Sequence, residues 1–533
     1  MAGPGHAPAL SETVTRSDQT DGAGRWLALT AALLGWMFDG AEMGVFSMVG
    51  RPAVKDLLGT VDEGTIGRWF GVITAGFLIG AATGGVLFGW LGDRIGRVRA
   101  MTLSVLTYAL FTGMCGVAGS AWQVGLLRFV AALGMGGEWS LGVALVMEVW
   151  PNKSRAFLAG LIGAAANVGY MMVGFVGLGL AAVLSGMEQW LLEVGLSAAT
   201  ASRLVANNGW RLMMLLGTLP ALLTFFIRIF VPESERWRRE EGRGATAHWA
   251  RQDLLGVAVG IIGPIMIVYL WAPRASGELP FSTLIRVVGT SLGLVIVALG
   301  YTYPVLRYLQ RQTSSLDVDH GLRPTLRRML LAACLSGVAL LGTWGSTQWA
   351  PSWADKLAEA DREQGILRHA KEYTQIWLAF GAIVGTIAAA MAGDWLGRRV
   401  TYCLLCVLSI GSVYVFFLTN TTYGARFLLW AFLAGGFTAA FYGWLPLYLP
   451  ELFRTNVRAT GQGFSFNFGR ILASIGVLQT GNLMNQFKEG ISLGNLHLPS
   501  GYPSACSVMS LVYVLGLVLI WFTPETKGQP LPE

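Results

Sequence analysis

Apolar stretches of about 20 residues recur along this chain, separated by short polar turns. A helix needs about 20 mostly apolar residues to cross a bilayer, so each stretch predicts one crossing. The first part offers 26–49, 68–91, 99–119, 122–149, 156–185 and 209–231. The last part offers 328–350, 372–392, 400–419, 425–449, 459–487 and 503–523, and two more stretches lie between, at 254–272 and 283–305. The pattern predicts an all-α membrane protein of about fourteen spans, in the order six, two, six. Polar loops at 187–206 and 350–371 have room for short amphipathic helices.

The two sets of six repeat one another. Gly92-Asp93-x-x-Gly96-Arg97, in a turn rich in glycine and arginine at 89–100, returns about 300 residues later as Gly393-Asp394-x-x-Gly397-Arg398. Glu148…Arg155 returns as Glu451…Arg458, and Gly163-x-x-x-Asn167-x-Gly169 as Gly463-x-x-x-Asn467-x-Gly469. Pro232-Glu233-Ser234 closes the first half as Pro524-Glu525-Thr526 closes the second. Repeated halves with a site between them are a recurring transporter design. The expected organisation is a cytoplasmic tail at 1–24 and a six-helix bundle at 25–232. A linker at 233–327 carries the two extra spans, a second bundle covers 328–524, and a short tail covers 525–533.

Charge sets the topology. Only 13% of residues are charged, and the net charge of +7 comes from arginines gathered in alternate loops. Cytoplasmic loops collect Arg and Lys. The clusters at Arg94/Arg97/Arg99, Lys153/Arg155, 236–243, Arg398/Arg399 and Arg454/Arg458 therefore mark one side as cytoplasmic and place both termini there. This balance describes a bilayer-embedded chain, with no call for nucleic acid. The 70 glycines and 20 tryptophans suit close helix packing and interfacial anchoring. The five cysteines fall in or beside apolar runs and read as buried thiols; Cys403-x-x-Cys406 has no second pair to complete a metal site. No metal or cofactor is expected. There is no Walker-type phosphate loop, and all five histidines lie outside the spans.

Ionisable groups inside spans are costly and mark function. Asp39 and Glu42 stand three residues apart, on one face of the first span. Asp39 sits roughly 20 Å along it from the basic side. Two acids so close repel when both are ionised, so one of them is expected to hold a proton near neutral pH. Glu138, in the fourth span, is a further proton carrier or the partner of an arginine such as Arg128. Arg128 itself, at the start of a span, reads as a cap on helix contacts. Arg470 lies roughly 16 Å into its span, and its repeat counterpart is Tyr170, so the cation exists in one half only. A lone guanidinium there wants a carboxylate or phosphate. Asn167, Asn467 and Tyr170 share those faces. Trp344, Gln348, Trp349, Tyr442 and Trp444 are candidates for the cavity wall. Asp93, Arg94, Arg97, Glu148, Arg155, Asp394, Arg398, Glu451 and Arg458 are expected to form cytoplasmic clusters that latch one conformation.

These motifs resemble the major facilitator superfamily. GWLGDRIGRVR is similar to its signature between the second and third helices. PESERW, PETKG and the Glu148…Arg155 and Glu451…Arg458 pairs resemble the sugar-porter branch. Asp39-Gly-Ala-Glu42 resembles the Asp-Gly-x-Asp motif of aromatic-acid and sialic-acid proton symporters, with Glu in place of the second Asp. GMGGEW at 134–139 and NFGRI at 467–471 resemble metabolite–proton symporters. The resemblance implies two six-helix bundles, a central site and alternating access, and fits a bacterial inner membrane; a monomer is expected. The expected activity is proton symport of a small organic anion, with Asp39, Glu42 and Glu138 carrying protons. Arg470, Asn467, Tyr170, Asn167, Trp344, Gln348 and Tyr442 would bind substrate. The alternatives are a sugar or polyol symporter, a proton-driven drug or metabolite exporter, and a ligand-binding sensor that moves nothing.

Overall fold

A computed structural model describes residues 22–532, apart from 61, 151–153, 273–279, 313–317, 360, 362–368, 488–489 and 494–495. The tail expected at 1–24 thus lies outside the described residues except for its last three, which open the first helix. The first half comprises α1 (Gly22–Leu58), α2 (Glu63–Ile95), α3 (Arg97–Cys115), α4 (Ala121–Val149), α5 (Arg155–Glu193) and the pair α6 (Ala198–Leu216) and α7 (Ala221–Phe230). A short α8 (Glu235–Gly242) leads to the central hairpin, α9 (Leu254–Gly260) with α10 (Ile262–Trp271) against α11 (Thr283–Gln312). The second half comprises α12 (Val318–Gly345), α13 (Ala350–Leu357), α14 (Ala370–Leu396), α15 (Arg398–Thr419), α16 (Ala425–Ala439), α17 (Phe441–Tyr448), α18 (Arg458–Asn467), α19 (Gly469–Gln486), α20 (Tyr502–Ser510) and α21 (Val512–Leu519).

All fourteen predicted stretches are helical, and among the described residues eleven helices have the length and apolar character to cross a membrane. The other three are the informative ones. α1 carries the buried acids Asp39 and Glu42. α6 breaks at Asn207, Asn208 and Gly209, whose φ values of 51°, 62° and 61° are left-handed. α18 and α19 carry the buried polar residues Arg458, Gln462, Asn467 and Arg470. One short β-hairpin departs from the all-α expectation: Ile491–Leu493 pairs antiparallel with Leu496–Leu498, between the last two spans.

The halves meet along α5 against α14 and along α2 against α18 and α19. The repeat is structural. Gly96 and Gly397 take φ of 106° and 94°, a region glycine enters freely, so α2 and α14 end there and α3 and α15 begin at the next residue. Both new helix starts are capped from a distance. Glu233 accepts from the Arg97 and Val98 amides at 2.9 and 3.1 Å, and Glu525 from those of Arg398 and Arg399 at 3.0 and 3.1 Å. A carboxylate satisfies the orphan amides of a helix N-terminus and complements its dipole, which explains why Pro-Glu-Ser/Thr closes each half.

The central hairpin is a tight unit: Gly263 of α10 meets Gly293 of α11 with backbones too close to admit a side chain. It packs on α2 of one half, where Tyr301 and Thr83 hydroxyls share a 2.7 Å hydrogen bond, and on α19 of the other, where Gln479 donates to the Trp271 carbonyl. Its outer face, including Leu284 and Leu299, is exposed as a lipid-facing surface requires.

Candidate functional site

A cavity of about 140 Å³ lies between the halves. α1 contributes Trp36, Asp39 and Met43, α4 contributes Trp139, and α5 contributes Asn167 and Tyr170. From the second half come Thr343, Trp344, Thr347 and Gln348, then Thr438, Tyr442, Phe466 and Arg470. Its walls are aromatic slabs. Trp139 stacks on Phe466 across the halves with ring centroids 3.8 Å apart, and Tyr442 meets Phe466 edge-on at 6.4 Å.

Arg470 is 7% exposed and its guanidinium lies 5.5 Å from the Phe466 ring centre. Its Nη1 has no hydrogen-bond partner, and among the described residues no carboxylate lies within ion-pair distance. Asp39 and Glu42 are its nearest acidic influences.

Asp39 lines the cavity, and Glu42 and Glu138 gather with it inside the first half. Gly35 lies one helical turn before Asp39 on α1, and a side chain there would overlap the Glu138 carboxyl. The missing Cβ lets Glu138 of α4 reach Asp39. Both Glu138 oxygens and Asp39 Oδ1 lack a geometric hydrogen-bond partner, as does the neighbouring Tyr108 hydroxyl of α3. Glu42 accepts from Thr112 at 2.7 Å and from Arg128 Nη1 at 3.2 Å. Arg128 does not pair with Glu138: it is 1% exposed, joins α4 to α1 through Glu42, and its guanidinium is held 4.5 Å from both the Phe46 and Phe77 ring centres.

Toward the arginine-rich face, buried charges join the halves. Asp93 pairs with Arg97 at 2.6 Å and accepts from the Thr460 amide at 2.9 Å and the Thr460 hydroxyl at 2.6 Å, capping α18 of the other half. Arg97 also donates to the Thr455 carbonyl, and Arg458 reaches Glu148 at 2.8 Å. In the second half Arg398 grips Glu451 with two bonds of 3.0 and 2.7 Å. Toward the opposite face Gln375 donates to the Tyr170 carbonyl at 2.9 Å, and Gln348 reaches the Tyr170 and Ser47 hydroxyls at 3.4 Å.

Several expected residues lie elsewhere. Asn467 is fully buried and donates to the Gly136 and Gly463 carbonyls, so it joins α18 to α4 and does not line the cavity. Trp444 donates to the Arg398 carbonyl from a buried position, and Trp349 faces a second cavity. Asp394 is 61% exposed, and its nearest approach to Arg398 is 3.7 Å. Arg94 stands over Trp90 outside the ion-pair network. Arg155 is buried, but its Nε and Nη2 have no partner. The two halves therefore differ: the first-half loop acid bridges to the other half and the second-half acid does not. Sequence reading missed Trp36, Trp139, Phe466 and the threonines, which carry no distinguishing pattern among many apolar and hydroxyl residues.

The family model described as sugar (and other) transporter matches residues 27–258 and 365–533. A probable 4-methylmuconolactone transporter of Cupriavidus pinatubonensis is 27% identical over 500 residues, covering 93% of this chain and 90% of its own. The cis,cis-muconate transport protein of Acinetobacter baylyi is 24% identical over 496 residues, covering 92% and 95%. Among solved structures, the major facilitator proton:xylose symporter XylE of E. coli superposes with a TM-score of 0.62 at 18% identity, covering 95% of this chain and 98% of XylE. The chain belongs to the sugar (and other) transporter family and has the major facilitator fold. It is a multi-pass membrane transporter of small molecules, not an enzyme.

Proposed function

We propose that this protein is a proton symporter for a small unsaturated or aromatic carboxylate, working by alternating access in a bacterial inner membrane with its arginine-rich face in the cytoplasm. The observation that carries the reading is Arg470, a buried guanidinium at an aromatic cavity with no carboxylate in ion-pair reach among the described residues. An unpaired buried cation is strongly unfavourable, and a substrate carboxylate gripped by two parallel hydrogen bonds would relieve it. The stacked Trp139–Phe466 pair and Tyr442 suit a flat substrate. Muconate and methylmuconolactone, the compounds named for two relatives, are unsaturated carboxylates of this kind.

Charge balance supports coupling. The site holds three acids, Asp39, Glu42 and Glu138, against two cations, Arg128 and Arg470. One proton makes the empty site neutral, and two carboxyls facing each other as Asp39 and Glu138 do need a proton between them. A bound monoanion then calls for one proton more. Neutrality of the loaded site lets the halves re-pack around it without burying net charge. The sealed arginine-rich face would then be the closed gate, with loading from the opposite face.

The test is uptake into proteoliposomes under an imposed pH gradient, with Arg470→Met, Asp39→Asn and Glu138→Gln beside wild type. Arg470→Met should lose carboxylate binding yet unfold at a higher temperature than ligand-free wild type, because an unpaired buried charge is gone. Asp39→Asn and Glu138→Gln should still exchange substrate across the membrane but fail to concentrate it. Full carboxylate uptake by Arg470→Met would overturn the reading. The sugar or polyol alternative has the XylE-like fold and the cavity threonines in its favour; it predicts that neutral ligands stabilise wild type and Arg470→Met alike.

A further inference from the structure

A second cavity of about 70 Å³ adjoins the first and shares Met43, Trp344 and Gln348 with it. Among the described residues its one charged wall residue is Arg128. The Phe46 and Phe77 rings fix the guanidinium, Nη1 is engaged with Glu42, and buried Nε has no partner. The hydroxyls of Ser47 and Thr74 line the same space, and each also donates to a carbonyl of its own helix. Each cavity is thus lined by one buried arginine that carries an unsatisfied N–H, and the residues shared between them are a thioether, an indole and an amide.

We infer that the Arg128 cavity is a second carboxylate subsite, and that the transported substrate is an elongated dicarboxylate with one carboxylate on Arg470 and the other on Arg128. The inference rests on the carboxylate reading above and narrows it. Met43 and Trp344 give an unsaturated carbon chain apolar surface to cross, and Gln348 stands at the junction.

The subsite also assigns Glu42 a task. Arg128 can face two carboxylates but balance only one. When the substrate takes the free Nε edge, Glu42 holds a proton, with Thr112 still beside it. The groups facing Glu42 are Arg128 and Glu138 on α4, Tyr108, Thr112 and Cys115 on α3, Asp39 on its own helix, and Arg470 on α19. With a dianion bound, all three acids protonated and both arginines charged, the site is neutral. A dicarboxylate therefore brings two protons beyond the one in the empty site, where a monocarboxylate brings one.

The paired probes are hexa-2,4-dienedioate and hexa-2,4-dienoate, of equal carbon skeleton, bound to purified full-length protein. Affinity is read from tryptophan fluorescence, and proton uptake from an indicator dye in weak buffer. The variants are Glu42→Gln and Glu42→Gln/Arg128→Gln. The double variant removes both members of the buried pair, so no charge is left stranded. Wild type should take up two protons per dianion and one per monoanion. Adding Arg128→Gln should weaken the dianion at least tenfold more than the monoanion, and retained monoanion binding shows that the double variant is folded. Equal dianion affinity in the two variants, or equal proton counts for the two probes in wild type, overturns the subsite. If neither probe binds wild type, or Arg470→Met binds the monoanion undiminished, the carboxylate reading itself fails and the subsite falls with it.

Discussion

Thr460→Val offers a direct test of the latch on the arginine-rich face. Thr460 Oγ1 donates to Asp93 Oδ2 at 2.6 Å, and both residues are buried, at 0% and 2% exposure. Valine keeps the shape and removes only the hydroxyl. The Thr460 amide still donates to Asp93 at 2.9 Å, and Arg97 still pairs with it. A hydrogen bond to a charged group is worth about 1.5–3 kcal/mol net of exchange with water. The bond joins opposite halves, so it exists only while this face is closed, and its full net value acts on the closed-to-open equilibrium. At about 1.4 kcal/mol per factor of ten, Thr460→Val should raise the open population relative to the closed one about 10- to 150-fold. The assay is pulsed electron–electron spin resonance between labels at the exposed positions 99 and 454, with the five native cysteines replaced. The long-distance population should grow in Thr460→Val and return to wild type in Thr460→Ser. Identical distance distributions in wild type and Thr460→Val would refute the reasoning, because then the bond does not distinguish the two states.

Two further outcomes follow from the cavity wall and the distal cap. Phe466→Ala removes the partner of the stacked Trp139 ring, and a stacked pair is worth about 0.5–1.5 kcal/mol beyond its area. A flat substrate loses an aromatic contact of the same kind, so carboxylate affinity should fall about 2- to 12-fold in a fluorescence titration, and unchanged affinity would remove this wall from the site. Glu525 lies outside the spans; partial burial works against its charge, but four backbone N–H donors, from Arg398, Arg399, Thr526 and Lys527, outweigh it and hold the carboxyl below its ordinary value. A carboxyl lowered in the folded state stabilises above its unfolded value and loses that contribution as pH falls through the folded one. Glu525→Gln should then lower the melting temperature by a constant amount at pH 6–8, and the gap should close below about pH 4; a gap independent of pH would contradict the assignment.

The pattern of apolar runs and the repeat at an offset of about 300 residues determined the helices, their grouping and the paired loops, because bilayer length and helix-breaking glycines are local properties of the chain. Asp39, Glu42, Glu138 and Arg470 were legible too: a charge within an apolar run stands out wherever it folds. What joins what was not legible. Glu42 rather than Glu138 holds Arg128 because Gly35 opens space for Glu138 against Asp39 on α1, and Thr112 of α3 fixes Glu42 beside Arg128. Asn467 looked like its repeat partner Asn167, yet one packs helices and the other faces the cavity. Asp93 and Asp394 share a motif but only Asp93 reaches across to the other half. A repeat specifies the same local structure twice. The interface between the copies is asymmetric, and partner choice there depends on which side chains from distant segments arrive within about 3 Å of one another.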